Sequence, residues 1–199
     1  MLMPRMLMAT RNQMKYLLFQ PLFEEAGFEI LTLAAAGLNH VSGLETGATP
    51  LENALIKARY FHSPEYPWVF GDDAGLEIDA LNGEPGVETR RWGGQFTEDV
   101  DDQTWLDYLM QRMQGVPLER RTASIFAAWA LLAPDGVAYW RDVRFPFTIA
   151  QEPFRPILPG SPLTAVRIGN AETLEERRAE IRAEWQRWGL LPELVKRFE

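Results

Sequence analysis

Three carboxylates, a lysine and a glycine turn that together could do chemistry lie in one short part of the chain, between Glu45 and Gly86. Glu45 begins a Glu-Thr-Gly sequence, Asp72 and Asp73 are adjacent, and Lys57 lies between these acidic positions. Carboxylates that converge can hold a hard divalent cation, and a nearby ammonium group can hold a phosphate. This combination of residue types predicts metal-assisted chemistry on a nucleotide or another phosphorylated substrate.

A polar turn near the N-terminus forms a second candidate site. Residues 5–9 predict a buried first strand, and Thr10, Arg11 and Asn12 separate it from the start of a helix. With Thr10 or Asn12 as the cap and Lys15 one turn further on, the free N–H groups of the helix would face a phosphate at the carboxyl end of the strand. An ordinary capped helix with a solvated Lys15 is the alternative.

The helix predicted over residues 50–60 would carry Lys57 into the site. Thr49 to Glu52 has the Ser/Thr-x-x-Glu pattern of a capping box, with a proline at the first helical position. Asn53 and Lys57 are four residues apart and therefore share one face of this helix. An amphipathic helix with a polar outer stripe is the alternative interpretation of that pair.

Asp72 and Asp73 are predicted to lie at the end of a strand. Residues 68–70 are apolar, and the glycine that follows the aspartates at position 75 indicates a tight turn before a second strand over residues 76–81. Two adjacent carboxylates repel each other, so a bound cation or a raised pKa would be needed if they converge. A turn that is exposed to water is the alternative.

Composition limits the classes of partner and compartment. The chain has 199 residues, 46% of them hydrophobic, which is enough for one α/β domain or two closely packed lobes with a large core. Its net charge of -8 argues against a broad nucleic-acid surface. The absence of cysteine excludes disulfides and thiolate sites and is compatible with a reducing cytosol. The apolar N-terminus is too short for a membrane span.

The remaining elements are predicted from hydrophobic patterning and turn residues. Residues 29–33 form a second short strand, and residues 103–113 suit a helix. Apolar runs over 122–132 and 137–149, joined by Pro-Asp-Gly, predict a long hairpin that could form a second lobe. Residues 174–188 are helical in composition.

Three ordered motifs resemble those of the inosine/xanthosine triphosphate pyrophosphatases. Residues 9–15 are similar to the family's Ala-Thr-Gly-Asn-x-x-Lys, and residues 45–58 match Glu-Thr-Gly-x-Thr-x-x-x-Asn-Ala-x-x-Lys-Ala. Residues 72–87 are similar to Asp-Asp-Ser-Gly-Leu-x-Val-Asp-Ala-Leu-x-Gly-x-Pro-Gly-Val. The resemblance covers the first half of the chain well.

The resemblance implies an α/β fold in which an elongated mixed β-sheet is flanked by helices, with residues 1–199 forming a single domain of two lobes and a central cleft. It implies a house-cleaning hydrolase of nucleotide metabolism. The enzyme would convert a non-standard purine nucleoside triphosphate to the monophosphate and pyrophosphate. It also implies a Mg²⁺ cofactor, with Mn²⁺ as the alternative, a cytoplasmic location and a homodimer, without nucleic-acid or membrane partners.

The resemblance also assigns roles to individual residues. Asp73 would activate the attacking water and Lys57 would assist catalysis, while Glu45, Asp72 and Asp73 would hold the metal. The residues expected to bind the substrate are Thr10, Arg11, Asn12, Lys15, Asn53, Ala74 and Arg91.

The chain departs from the family pattern at several positions. Arg11 replaces a glycine of the phosphate loop, and Ala74 replaces a serine. The family's C-terminal aromatic segment and its Ser-His-Arg, which contact the purine, are absent, and no histidine follows His62. A nucleotide-binding sensor or partner subunit with little or no hydrolysis is therefore the alternative function. Three arginines near the end could reach the phosphates or the base, or could instead form Glu-to-Arg pairs on a solvated helix: Arg177, Arg178 and Arg182.

Overall fold

The computed structural model describes residues 3–169, 171 and 173–198. The helices are α1 (Gln13–Glu25), α2 (Pro50–Phe61), α3 (Asp102–Arg112), α4 (Leu174–Trp188) and α5 (Leu190–Phe198). The strands are β1 (Arg5–Met8), β2 (Glu29–Thr32), β3 (Val69–Ile78), β4 (Pro85–Gly86), β5 (Thr122–Leu132), β6 (Ala138–Ile149) and β7 (Arg167–Ile168). Within the described part of the chain, no helix has the length and apolar character needed to cross a membrane.

The strands form a mixed sheet, as predicted. Its order is β2-β1-β3-β5-β6-β7, and the short β4 pairs with β3. β1 runs parallel to both β2 and β3, whereas β4 and β7 run antiparallel to their partners β3 and β6. Because β1 and β3 are parallel neighbours, the residues that follow β1 and the second half of β3 extend from the same ends of the two strands.

The chain divides into two compact units. The first comprises the chain up to Asp73, Ala127–Val143 and the chain from Arg177 onward. The second comprises Ala74–Phe126 and Arg144–Glu176. β3, β5, β6 and α4 therefore each contribute residues to both units.

The core of the first unit fixes the elements that carry the candidate site. Ala54 and Ala58 of α2 are fully buried in a cluster that includes Leu7 of β1 and Val69 of β3. Phe23 of α1 lies 4.9 Å from Phe70 of β3, measured between ring centroids. It also packs edge-on against Trp185 of α4, at 5.2 Å. These aromatic pairs add to the hydrophobic burial that holds α1 and α4 in place.

In the second unit, α3 supplies the centre of the core. Trp105, Leu106 and Leu109 are buried in one cluster with Leu76 and Ile78 from β3. The indole nitrogen of Trp105 donates a hydrogen bond to the backbone carbonyl of Thr89, 2.9 Å away. The polar edge of this large side chain is therefore satisfied inside the core.

The prediction of a turn after residue 70 is wrong, because β3 continues without a break to Ile78. A single 3-10 turn, Asp79–Leu81, follows it. Asp72 and Asp73 consequently lie inside a strand and are 4% and 6% exposed. Neither the predicted position at a strand end nor the alternative of a water-exposed turn describes these two carboxylates.

Close packing, and not a turn, explains the glycines of β3. A Cβ atom on Gly71 would lie 2.2 Å from the backbone oxygen of Ala54 in α2. A Cβ atom on Gly75 would lie 2.2 Å from the ring of Phe126. Glycine in a strand often marks a site where another part of the chain approaches closely, and both positions fit that rule.

The predicted start of α2 is confirmed. The Thr49 hydroxyl accepts a hydrogen bond from the backbone N–H of Glu52, 3.2 Å away. The Glu52 carboxylate reaches back to the N–H of Ala48, at 2.6 Å. The helix predicted over residues 174–188 is confirmed as α4, but α5 was not predicted.

Candidate functional site

The polar turn between β1 and α1 has an internal hydrogen-bond frame. The Asn12 side chain caps α1 by accepting a bond from the N–H of Met14, 2.8 Å away. The Thr10 hydroxyl accepts a bond from the N–H of Asn12, at 3.1 Å. Thr10 is partly exposed, and Arg11 and Asn12 are exposed. The turn therefore presents a helix N-terminus and a guanidinium group to solvent in a fixed conformation.

Tyr16 anchors this turn from below, a role that sequence reasoning missed. Its hydroxyl donates a hydrogen bond to the carbonyl of Thr10 and accepts one from the N–H of Leu33, 3.4 Å away. The side chain is buried. The available signal was a tyrosine on the apolar face of α1, since a buried hydroxyl usually finds a partner.

Lys15 turns toward β3, where its side chain is 19% exposed, so the alternative of a fully solvated lysine is wrong. Its ammonium group forms an ion pair with the carboxylate of Asp72 and donates a hydrogen bond to the backbone carbonyl of the same residue, 3.2 Å away. Burial acts to lower the pKa of Lys15, but the carboxylates of Asp72 and Asp73 outweigh it and raise the pKa above its ordinary value. The lysine therefore stays charged beside the strand.

Lys57 connects two of the predicted carboxylates. Its ammonium nitrogen lies 2.8 Å from Asp73 Oδ1 and 3.0 Å from Glu45 Oε1. The lysine side chain and that of Asp73 are each only 8% exposed, whereas Glu45 is 51% exposed. The polar face of α2 that carries Lys57 thus points inward, and the alternative of a polar outer stripe is wrong for this residue.

Asn53 lies one turn before Lys57 and contacts the same strand. Its Oδ1 accepts a hydrogen bond from the backbone N–H of Gly47, 2.7 Å away. Its Nδ2 donates to Asp73 Oδ2, at 3.0 Å. The two oxygens of Asp73 therefore each receive a hydrogen bond from α2.

The two carboxylates that share Lys57 differ in proton affinity. Burial raises the pKa of Asp73 above its usual range, despite the lowering effect of Lys15 and Lys57. Burial also acts to raise the pKa of Glu45, but the charge of Lys57 outweighs it and holds that pKa below its usual range. Asp73 is consequently the better proton acceptor of the pair.

The donor set matches the preference of a hard divalent cation. Glu45, Asp72 and Asp73 supply carboxylate oxygens, the ligands that Mg²⁺ and Mn²⁺ take from proteins. In the described part of the chain, no three histidine or acidic side chains are gathered closely enough to hold a metal ion, and the carboxylates pair with Lys15 and Lys57. The three carboxylates are therefore of the right chemical type for Mg²⁺ or Mn²⁺, although they are not gathered around one point.

The other predicted substrate residues belong to the second unit. Ala74 follows Asp73 directly along β3. Arg91 forms ion pairs with Glu88 and Glu98, at 2.8 and 3.4 Å. Within the second unit, Arg91 therefore belongs to a partly exposed cluster of ion pairs.

Two of the C-terminal arginines contact α1. Arg178 donates a hydrogen bond to the backbone carbonyl of Leu17, 2.8 Å away. Arg182 pairs with the carboxylate of Glu25, at 2.5 Å. These contacts tie α4 to the scaffold that carries the polar turn.

A sequence model described as the Ham1 family matches residues 6–155, which include every predicted site residue from Thr10 to Arg91. The chain belongs to the Ham1 family. The family model matches this Ham1 protein only as far as residue 155, so the two C-terminal helices, α4 and α5, lie outside the match.

Relatives of this Ham1 family protein carry a common name. This chain is similar to a dITP/XTP pyrophosphatase of Corynebacterium efficiens. The two are 36% identical over 151 residues, which cover 75% of this chain and 72% of the relative. The chain is similar to another of that name from Mycobacterium tuberculosis, 38% identical over 156 residues that cover 76% and 74% of the two chains.

Solved structures agree with the fold. A crystal structure from Mycobacterium abscessus, described as a nucleoside-triphosphatase or dITP/XTP pyrophosphatase, superposes with a TM-score of 0.66 at 31% identity and covers 94% of this chain and 99% of its own. A HAM1 protein of Coxiella burnetii superposes with a TM-score of 0.68 at 21% identity, over 93% of this chain and all of its own. The latter supports the fold alone.

Proposed function

We propose that this Ham1 family protein is a nucleoside triphosphate pyrophosphatase that converts non-standard purine nucleotides, such as dITP and XTP, to the monophosphate and pyrophosphate. The observation that carries the proposal is the pair of lysine and carboxylate contacts between α1, α2 and β3. Lys15 with Asp72, and Lys57 with Asp73, place two cations and two carboxylates in one unit. The names of the relatives supply the substrate class.

The polar turn is the proposed binding site for the triphosphate. Thr10 and Asn12 would donate hydrogen bonds to phosphate oxygens, and Arg11 and Lys15 would neutralise their charge. Arg11 is exposed and occupies the turn itself, so we assign it to a phosphate clamp. Ala74 and Arg91 are also proposed to bind the substrate.

Asp73 is the proposed general base. It would accept a proton from a water molecule as that water attacks the α-phosphorus, and the bond to the leaving pyrophosphate would break. Lys57, which contacts Asp73, would stabilise the negative charge that develops on the phosphates. Hydrolysis of this kind needs no covalent intermediate.

Glu45, Asp72 and Asp73 would hold Mg²⁺, with Mn²⁺ as the alternative. The cation, when bound, supplies charge neutralisation at the phosphate oxygens.

We also propose a homodimer, which light scattering would detect as twice the 22.8 kDa mass of the chain. A cytoplasmic location is proposed as well, and the absence of cysteine is compatible with it.

Pyrophosphate release tests the proposed function. Wild type and Asp73→Asn are assayed with Mg²⁺ against dITP, XTP and the standard nucleoside triphosphates. We expect release from dITP and XTP to be fastest. Removal of the base should lower kcat by about two to four orders of magnitude, while the volume of the side chain is conserved.

Two controls make the result decisive. Circular dichroism checks that Asp73→Asn is folded, and EDTA should abolish release by wild type. Nucleotide binding without pyrophosphate release would contradict the enzyme proposal and support a sensor or partner subunit instead.

A further inference from the structure

We infer that Asn53 is a positioning residue that holds Asp73 and the loop of Glu45 in place, and not a residue that contacts the substrate. The inference rests on the proposed function. Asn53 is 2% exposed, so almost none of its surface is open to a ligand. Its amide oxygen and amide nitrogen both have partners within the protein.

The orientation of the amide follows from its partners. The backbone N–H of Gly47 can only donate, so the oxygen of Asn53 must face it. The NH₂ group is thereby directed at Asp73 Oδ2, 3.0 Å away. The loop thus determines that Asp73 receives a hydrogen-bond donor at Oδ2, the oxygen that is not bonded to Lys57.

Gly47 is packed tightly against the start of α2. A Cβ atom at this position would lie 2.5 Å from Cβ of Glu52 and 2.8 Å from Oδ1 of Asn53. The loop therefore lies directly on the helix, with Glu45 only two residues away. Because Gly47 has no side chain, the loop can lie close enough to α2 for the Gly47 N–H to reach Asn53.

Asn53 and Lys57 form two parallel bridges between the same loop and the same strand. Lys57 connects Glu45 to Asp73 through its charge. Asn53, one helical turn away, connects Gly47 to Asp73 through a neutral amide. Two bridges fix the direction of the Asp73 carboxylate, whereas Lys57 alone would leave it free to rotate.

Asn53→Asp tests this role because it keeps the size of the side chain. One oxygen still accepts from Gly47, but a carboxylate oxygen replaces the donor toward Asp73. We expect kcat for dITP to fall by at least about one to two orders of magnitude, because a hydrogen bond to a charged group is lost and the new carboxylate repels that of Asp73. Since no substrate contact is removed, KM should change by less than about threefold.

Amide exchange at Gly47 gives a second readout that does not depend on activity. In Asn53→Ala the bond to Gly47 is lost, and the exchange of its N–H, followed by NMR, should become faster than in wild type. Asn53→Asp should keep the slow exchange. Arg59→Gly, at an exposed position of the same helix, weakens α2 without touching the site and should leave kcat unchanged.

The outcomes separate the two proposals. Unchanged kcat in Asn53→Asp, unchanged exchange of the Gly47 amide in Asn53→Ala, or a raised KM at constant kcat would each overturn the positioning role. An equal loss of kcat in Arg59→Gly would also overturn it, because general weakening of α2 would then explain the effect. A wild-type protein without turnover would overturn the proposed function and this inference with it.

Discussion

Lys57 neutralises two carboxylates while it is itself almost fully buried. Its ammonium nitrogen is within 3.0 Å of Glu45 and Asp73, and 8% of the side chain is exposed. A buried carboxylate that loses its partner costs several kcal/mol, whereas an exposed ion pair contributes little. Lys57 should therefore support both the stability of the first unit and its chemistry.

We predict that Lys57→Met lowers the free energy of unfolding by about 3 kcal/mol, because Asp73 is left buried beside an apolar side chain. Urea denaturation measures the effect. Adding Asp73→Asn to Lys57→Met should restore part of the loss, since the uncompensated charge is removed.

Arg144→Met is the matched control for this prediction. Arg144 pairs with Glu77, but its side chain is 56% exposed. The loss there should be less than about 1 kcal/mol. Equal losses in the Lys57 and Arg144 variants would contradict the importance given to burial.

Sequence reasoning identified the charged residues and missed part of their support. Lys15 and Lys57 were predicted from motifs and helical spacing. The roles of Asn53 and Tyr16 depend on backbone groups, the N–H of Gly47 and the carbonyl of Thr10. Every residue type supplies such groups, so the sequence could indicate that a buried tyrosine hydroxyl needs a partner, but not which backbone group that partner is.

The contact between α2 and β3 determines the geometry of the site at the level of elements. α2 carries Asn53 and Lys57, and β3 carries Asp73. The capping box of α2 was readable because its partners are within four residues of each other. Gly75 was misread as a turn residue because the reason for it is the ring of Phe126, which is distant in sequence.

We predict that Gly71→Ala destabilises the protein by about 2 kcal/mol and lowers kcat, because the new methyl group pushes α2 away from β3. Thermal denaturation and the pyrophosphate assay measure the two effects.

Val69→Ala is the control in the same strand. It removes buried volume without a clash, so it should lower stability by a comparable amount of about 2 kcal/mol and leave kcat close to wild type. If Val69→Ala lost as much kcat as Gly71→Ala, displacement of α2 would not be the cause.

At the scale of the whole molecule, the C-terminal helices complete the first unit although they lie outside the family match. Trp185 of α4 packs among the aromatic residues of the core, and Phe198 of α5 packs edge-on against Trp68 at 5.4 Å. α5 was not predicted because it is short and follows α4 after a single glycine. The mixed sheet was predicted, but its strand order depends on long-range pairing that local patterns do not contain.

We predict that ending the chain at Gly189 lowers the free energy of unfolding by about 4 kcal/mol, because Leu191 and Leu194 each contribute roughly 2 kcal/mol when buried. Chemical denaturation of the shortened protein checks this. Glu193→Ala, on the exposed side of α5, should have little effect. Unchanged stability after the truncation would contradict the structural role of α5.

The identity of the reaction products shows which phosphate bond the protein breaks. XTP is incubated with the wild-type protein and Mg²⁺, and the products are followed by phosphorus NMR. We expect the nucleoside monophosphate and pyrophosphate in equal amounts from the first turnovers. The diphosphate and orthophosphate as the initial products would contradict the proposed function.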